Sequence, residues 1–262
     1  SFQNKKIFYR VEGGGKTVIL IHGFAEDGSI WNYQADKLKK KFRLIIPDLP
    51  GSGKSELLEG EISISDYADA VKAIVDAEIK TAGNTFTILG HSMGGYISLA
   101  FAEKYAELLN GLGLFHSSCF ADDDLKKEAR NRGIVFIQKN GPEAFLKNTI
   151  PNLFSQKTKQ EAPALVEKLI ELSRNFTSKA LIQYYEAMMK RPDSSQILRS
   201  FAKPVLFIQG LHDTAVPLQA GLEQSHIPSI SYFKILKKSG HMGMWEEENS
   251  ATRYIDEFIR QV

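Results

Sequence analysis

Six short apolar runs recur along the chain: TVILIHG (17–23), FRLIIPD (42–48), FTILGHS (86–92), LNGLGLFHS (109–117), PVLFIQG (204–210) and ISYFKIL (230–236). They are rich in β-branched residues and continuous rather than alternating, the pattern of strands covered on both faces. Between them the apolar positions switch to spacings of three and four. SDYADAVKAIVDAEI (65–79) opens on a Ser/Asp cap signal, MGGYISLAFAEKYAELL (93–109) reads as a more buried helix, and WEEENSATRYIDEFIRQV (245–262) closes the chain. Strands alternating with helices predict an α/β fold, a mostly parallel, doubly wound sheet with crossover helices flanking it. KKIFYRVEG (5–13) predicts an antiparallel edge strand.

One stretch breaks the alternation. From about 118 to 196 no strand pattern occurs, only helical stretches such as DDLKKEARNRGIVFIQKN and EAPALVEKLIELSRN, with KRPDSSQ (190–196) as the return linker. The expectation is an α/β core over 1–117 and 197–262 and an inserted helical lid over 118–196, with few ties to the sheet. The insertion carries Phe120, Phe136, Phe145, Phe154, Phe176, Tyr184, Tyr185, Met188 and Met189. Most of these must fill its own core, and a few are expected to face a site and favour an apolar acyl or aromatic group.

Composition narrows the partners. A formal net charge of +2 gives no electrostatic case for nucleic acid or an anionic membrane. The KLKKK cluster (37–41) lies at helical spacing beside Leu38 and Phe42 and reads as a solvated helix end. Cys119 is the single cysteine, so no intrachain disulfide forms, and it reads as a small buried hydrophobe. No apolar run approaches the roughly 20 residues of a membrane span. SFQNKKIFYR at the start has no apolar signal core, so a cytoplasmic protein is expected. The chain begins on Ser1, as a processed or trimmed N-terminus would. Composition leaves monomer and homodimer equally open.

PDLPGSGKS (47–55) raises the question of a phosphate-binding loop. Such a loop needs a glycine five residues before Gly53, and that position is Asp48, whose carboxylate would face a polyphosphate. The following ELLEGEISIS is not the helix the loop must open, so no nucleotide is expected.

GHSMGG (90–95) contains G-x-S-x-G between the strand FTILG and the helix MGGYISLAF, the setting of a nucleophile elbow. Ser92 would sit on a sharp turn, with Gly90, Gly94 and Gly95 removing side chains where strand and helix crowd. A serine hydroxyl needs a base, and the base needs a group that fixes its tautomer. His241 follows the last strand and Asp213 the preceding one, both at the carboxyl edge that Ser92 shares. HGF (22–24) follows the central strand, so the backbone N–H groups of Phe24 and Met93 are the expected oxyanion donors. His22 is expected to orient that loop. His91, His116, His212 and His226 show no metal-ligand spacing, and no metal or other cofactor is expected. His116 and Cys119 read as packing at the pocket edge, and Asp122, Asp123 and Asp124 as solvent-facing rivals for the acid.

Together, HGF, PDLPGSGKS, GHSMGG, GLHDTAVP (210–217) and GHMGMWEE (240–247) resemble the α/β-hydrolase fold superfamily, in its esterase, lipase-like and carbon–carbon hydrolase branch. The resemblance covers about 1–117 and 197–262. It implies Ser92 as nucleophile, His241 as general base and Asp213 as orienting acid, acting on a small-molecule substrate. A carboxylesterase-like serine hydrolase working through an acyl-enzyme is the first expectation. The alternatives are a carbon–carbon bond hydrolase and a slow-turnover small-molecule receptor on the same fold.

Overall fold

Seven strands form one sheet in the computed structural model, which describes residues 1–80 and 83–262. They are β1 (Tyr9–Glu12), β2 (Thr17–Ile21), β3 (Arg43–Pro47), β4 (Phe86–His91), β5 (Leu109–Phe115), β6 (Val205–Gly210) and β7 (Ser231–Leu236). The spatial order is β1-β3-β2-β4-β5-β6-β7, and every neighbouring pair is parallel except β1 with β3. All six apolar runs and the expected antiparallel edge strand are therefore present. β4 and β6 are buried along their whole length, as continuous runs in the middle of a covered sheet should be.

The helices are α1 (Asn32–Leu38), α2 (Ile64–Glu78), α3 (Met93–Tyr105), α4 (Asp124–Asn140), α5 (Pro142–Thr149), α6 (Gln156–Glu161), α7 (Pro163–Ser173), α8 (Ser178–Lys190), α9 (Ser195–Ser200), α10 (Leu218–Ser225), α11 (Gly243–Glu246) and α12 (Glu248–Gln261). α1 packs with α12, and α2 with α3, so helices flank the sheet. α2 starts slightly earlier than the pattern suggested. Ser63 is its cap, closing a capping box with Asp66. The last helical stretch is split at Glu247, whose carboxylate accepts hydrogen bonds from Lys238 N–H and Ser239 Oγ. That break holds the β7–α11 loop in place, where the site lies.

Between β5 and β6 the chain inserts α4 to α9. This insertion is tied to the rest more firmly than its sequence suggested. Tyr184 Oη donates to Pro50 O (2.8 Å), Gln183 Nε2 to Leu58 O (3.1 Å), and His241 N–H to Leu153 O (2.7 Å). Asp122 also departs from expectation. Its side chain is fully buried, 2.6 Å from Arg130 Nε and 2.9 Å from Arg191 Nη1. One carboxylate thus joins the two roots of the insertion, and removing it would leave two guanidinium groups without their counter-charge, a loss of about 3–5 kcal/mol for a buried pair.

Candidate active site

The β4–α3 turn is built by close approach. A Cβ on Gly90 would fall 2.0 Å from Gly94 O, and one on Gly94 would fall 2.6 Å from both Ile21 O and His22 O. Neither contact is relieved by rotating a side chain, so only glycine lets α3 start this close to β4 and to the end of β2. Ser92 pays for the sharpness with φ 52° and ψ −117°, a region that side-chain-bearing residues avoid. Its backbone is held there: the N–H donates to Phe115 O (2.9 Å), and the carbonyl accepts from Gly95 N–H (2.9 Å) and Ser117 Oγ (2.8 Å). The serine itself stays partly exposed.

Gly23 lies against it, since a Cβ there would come within 3.1 Å of Ser92 Cβ. Among the described residues, neither Phe24 N–H nor Met93 N–H donates a hydrogen bond. Met93 opens α3, where backbone donors are unsatisfied by the helix itself. His22 braces this loop as expected. Its Nδ1 is 2.8 Å from Gly23 O, and its Nε2 faces Leu49 N–H (2.9 Å) and Ser52 Oγ (2.8 Å).

Across the same edge, His241 Nδ1 lies 2.8 Å from Asp213 Oδ2. The other carboxylate oxygen accepts from Ala215 N–H and Val216 N–H, each at 2.9 Å. Burial works against charge on both residues, yet the pair overrides it. The His241 pKa lies above its ordinary value because the Asp213 carboxylate outweighs burial, and that of Asp213 lies well below because His241 and His116 hold it ionised. Nδ1 is the nitrogen committed to Asp213, which leaves Nε2 for other work. No hydrogen bond joins Ser92 Oγ to His241 among the described residues; such bonds commonly close only around a bound substrate.

Sequence reasoning missed three members of this cluster. His116 Nδ1 is 2.9 Å from Asp213 Oδ2, so the residue assigned to packing belongs to the acid's surroundings. His91 sits behind the elbow with Nδ1 2.9 Å from Glu26 Oε2 and Nε2 3.0 Å from His241 O. Glu26 Oε2 also accepts from Gly23 N–H (2.6 Å), linking the HGF loop to the histidine loop. An acidic residue four positions after a strand-end histidine was the only available signal for Glu26, and it is a weak one.

His116, Asp213 and His241 also form a group of possible metal ligands among the described residues. Their facing atoms are at hydrogen-bonding distance, 2.8–2.9 Å, closer than the roughly 3.3 Å between ligand atoms around tetrahedral zinc. The set fits shared protons better than a cation.

The other sequence questions resolve nearby. Asp48 Oδ1 and Oδ2 accept from Gly28 N–H (3.0 Å) and Lys54 N–H (2.9 Å), so the carboxylate shapes the loop from within. Lys54 is exposed, with Nζ 4.7 Å above the Phe8 ring rather than on loop carbonyls. A cavity of about 410 Å³ opens there, lined by Asp27 and Asp48 as well as Arg10 and Lys54. Cys119 is buried and its thiol is pushed up to about 12, which removes it as a nucleophile. From the insertion, Tyr185 stacks on Phe24 (centroids 4.5 Å apart, planes 3° apart), and Phe145 meets the same ring edge-on at 6.4 Å.

A family model described as alpha/beta hydrolase fold matches residues 16–132. Among solved structures, an esterase from Thermogutta terrifontis with malate bound superposes with a TM-score of 0.92 and 28% identity, covering 98% of this chain and 94% of the esterase. The enol-lactonase from Burkholderia xenovorans LB400 gives 0.90 at 21% identity, covering 99% and 98%, a likeness of fold alone. The 2-hydroxy-6-oxononadienedioate/2-hydroxy-6-oxononatrienedioate hydrolase of Escherichia coli K12 is 28% identical over 256 residues, 94% of this chain and 88% of that enzyme. An uncharacterised Mycobacterium tuberculosis protein is 33% identical over 107 residues, 40% of this chain, and the match spans only 30% of that protein's length. Among the described residues, no helix is long and apolar enough to cross a membrane.

Proposed function

The chain belongs to the α/β-hydrolase fold superfamily, and from that premise we propose that it is a cytoplasmic serine hydrolase forming an acyl-enzyme on a small, largely apolar ester. The observation that carries the reading is the convergence at one sheet edge of a strained, accessible Ser92, a His241 bonded to Asp213, and two unengaged N–H groups.

In this reading His241 Nε2 takes the Ser92 proton as Oγ attacks the substrate carbonyl. Phe24 N–H and Met93 N–H receive the oxyanion, and α3 contributes the partial positive charge of its N-terminus. Asp213 keeps the proton on Nδ1 and stabilises the imidazolium, which then protonates the leaving alcohol. Water repeats the sequence to release the acid. The insertion over 118–196 acts as a lid, and its Tyr185 and Phe145 against Phe24 make an apolar wall beside the oxyanion site.

The relationship to the Escherichia coli enzyme supports a second reading, cleavage of a carbon–carbon bond. A 2-hydroxy-6-oxo dienedioate has no ester to hydrolyse and carries two carboxylates, so it calls for cations free to bind them. Arg130 and Arg191 of the insertion are both engaged by Asp122, which favours the ester. Steady-state turnover of p-nitrophenyl esters of increasing acyl length tests the proposal: sustained turnover, abolished in Ser92→Ala, is expected. A single stoichiometric turnover would instead mark a receptor, and hydrolysis of only the dienedioate would favour carbon–carbon cleavage.

A further inference from the structure

Two histidines share one carboxylate oxygen. Asp213 Oδ2 lies 2.8 Å from His241 Nδ1 and 2.9 Å from Nδ1 of His116, a fully buried residue directly after β5. We propose that His116 is a positioning residue of the triad: a neutral imidazole whose Nδ1–H fixes the Asp213 carboxylate and limits how strongly it draws a proton onto His241. The inference rests on the Ser92–His241–Asp213 reading above.

The fold makes room for this ring at some cost. His116 has φ 48°, a left-handed conformation uncommon outside glycine, and its N–H donates to Ile208 O (2.8 Å). Two glycines clear the space around the imidazole. A Cβ on Gly243 would lie 2.3 Å from His116 Nε2, and one on Gly210 would lie 2.8 Å from His116 Cε1. Gly210 precedes the Asp213 loop and Gly243 follows His241, so the ring is wedged between the loops of acid and base. Strain of this kind persists only where the surroundings enforce it, and it gathers at functional positions.

The hydrogen-bond pattern sets the tautomer. His116 Nε2 is buried with no partner among the described residues, so a proton there would be left unsatisfied. The proton therefore sits on Nδ1 and points at Asp213. Gly210 N–H also points at Nδ1, at 3.2 Å, and this longer contact is the one given up, because a bare Nδ1 would set its lone pair against the Asp213 carboxylate oxygen 2.9 Å away. Burial pushes the His116 pKa down to about 4, against the pull of Asp213, which keeps the ring neutral at working pH. Asp213 then receives four donors: two amides on Oδ1 and two imidazoles on Oδ2.

The electrostatic consequence has a definite sign. Each donor withdraws negative charge from the carboxylate, so a carboxylate stripped of His116 favours the His241 imidazolium more strongly. The other charged or titratable groups facing His241 are His91, with rings 4.8 Å apart, its partner Glu26, and Glu246, which accepts from Gly240 N–H (2.8 Å). His116 faces the His91 and His241 rings at 6.0 and 5.6 Å. Substitution at 116 leaves Glu26, His91 and Glu246 in place.

The test is the pH profile of kcat/KM on the best ester, for the unsubstituted enzyme, His116→Leu and His116→Asn. In the leucine variant the acidic limb should move up by about half a unit or more. Asparagine places an N–H near the position of Nδ1 and should return the limb towards its original place. A folded His116→Leu with an unmoved limb and a lower kcat would show a merely structural residue, and so would an asparagine variant that fails to restore the limb. Nitrogen-15 NMR of the unsubstituted protein supplies an arm that needs no variant. His116, assigned through its backbone, should be neutral with Nδ1 protonated at pH 7, and an Nε2–H tautomer or an imidazolium would overturn the proposal. Failure of the triad reading would show separately, as a Ser92 that does not take up an active-site phosphonate, while the NMR arm still reports on His116.

Discussion

Asp213 Oδ2 and His241 Nδ1 are 2.8 Å apart, with the carboxylate closed off from water and the imidazole nearly so. In that setting the carboxylate decides which ring nitrogen carries the proton. Asp213→Asn should keep the fold, because an amide oxygen can still accept from Ala215 N–H and Val216 N–H, but its NH₂ group would face His241 and favour the wrong tautomer. We expect kcat to fall by about 10² to 10⁴, with unchanged circular dichroism; in serine proteases the equivalent change costs about 10⁴. Near-normal kcat in a folded Asp213→Asn would place the acid elsewhere. Asp122 cannot take its place, since two arginines hold it.

Stability should depend on pH in three separate windows. His116, with its folded pKa pushed down to about 4, binds no proton between about pH 4 and 6.5 while the unfolded chain does. Its contribution therefore makes stability fall as the pH drops through that interval. Asp213 has a lowered pKa, so its contribution is present above about pH 4 and is lost only in stronger acid. His241 has a raised pKa, so its contribution is complete below about pH 6.5 and is lost as the pH rises through the folded value. Urea denaturation midpoints of the unsubstituted protein and His116→Asn should differ by an amount that changes between pH 6.5 and 4. A constant difference would contradict the assignment of a neutral His116.

Lys54 should be dispensable. Its ammonium lies over the Phe8 ring in an exposed loop that Asp48 organises through backbone amides. Lys54→Ala should leave kcat/KM unchanged, and calorimetry should detect no ATP or GTP binding. A micromolar dissociation constant for either nucleotide would overturn this.

These cases show what sequence can and cannot reveal here. The strands, and the three residues proposed as a triad, were legible because each candidate follows a strand with a strong local pattern: Ser92 after FTILGH, Asp213 after VLFIQG, His241 after SYFKIL. A local pattern does not report which distant groups meet. His116 and Asp213 are 97 positions apart, and His91 and Glu26 are 65 apart, so their hydrogen bonds exist only after the sheet closes. Asp122 misled for the same reason. It stands in the charged run ADDDLKK, yet its side chain turns inward to arginines that the run does not show.

The lid reading also makes a graded prediction. α8 buries Tyr184 and Met188 and is hydrogen-bonded to core loops, whereas α4 buries only Ile137. Amide exchange should be faster in α4 than in α8, and exchange in α4 should slow once Ser92 is acylated or phosphonylated. Equal protection of the two helices, before and after modification, would argue against a gate.

Whether Ser92 is the nucleophile is decided by intact-mass spectrometry after treatment with a fluorophosphonate. A single covalent adduct is expected, mapped to Ser92 by peptide analysis and absent in Ser92→Ala. An adduct that persists in Ser92→Ala, or that maps to Cys119, would contradict it.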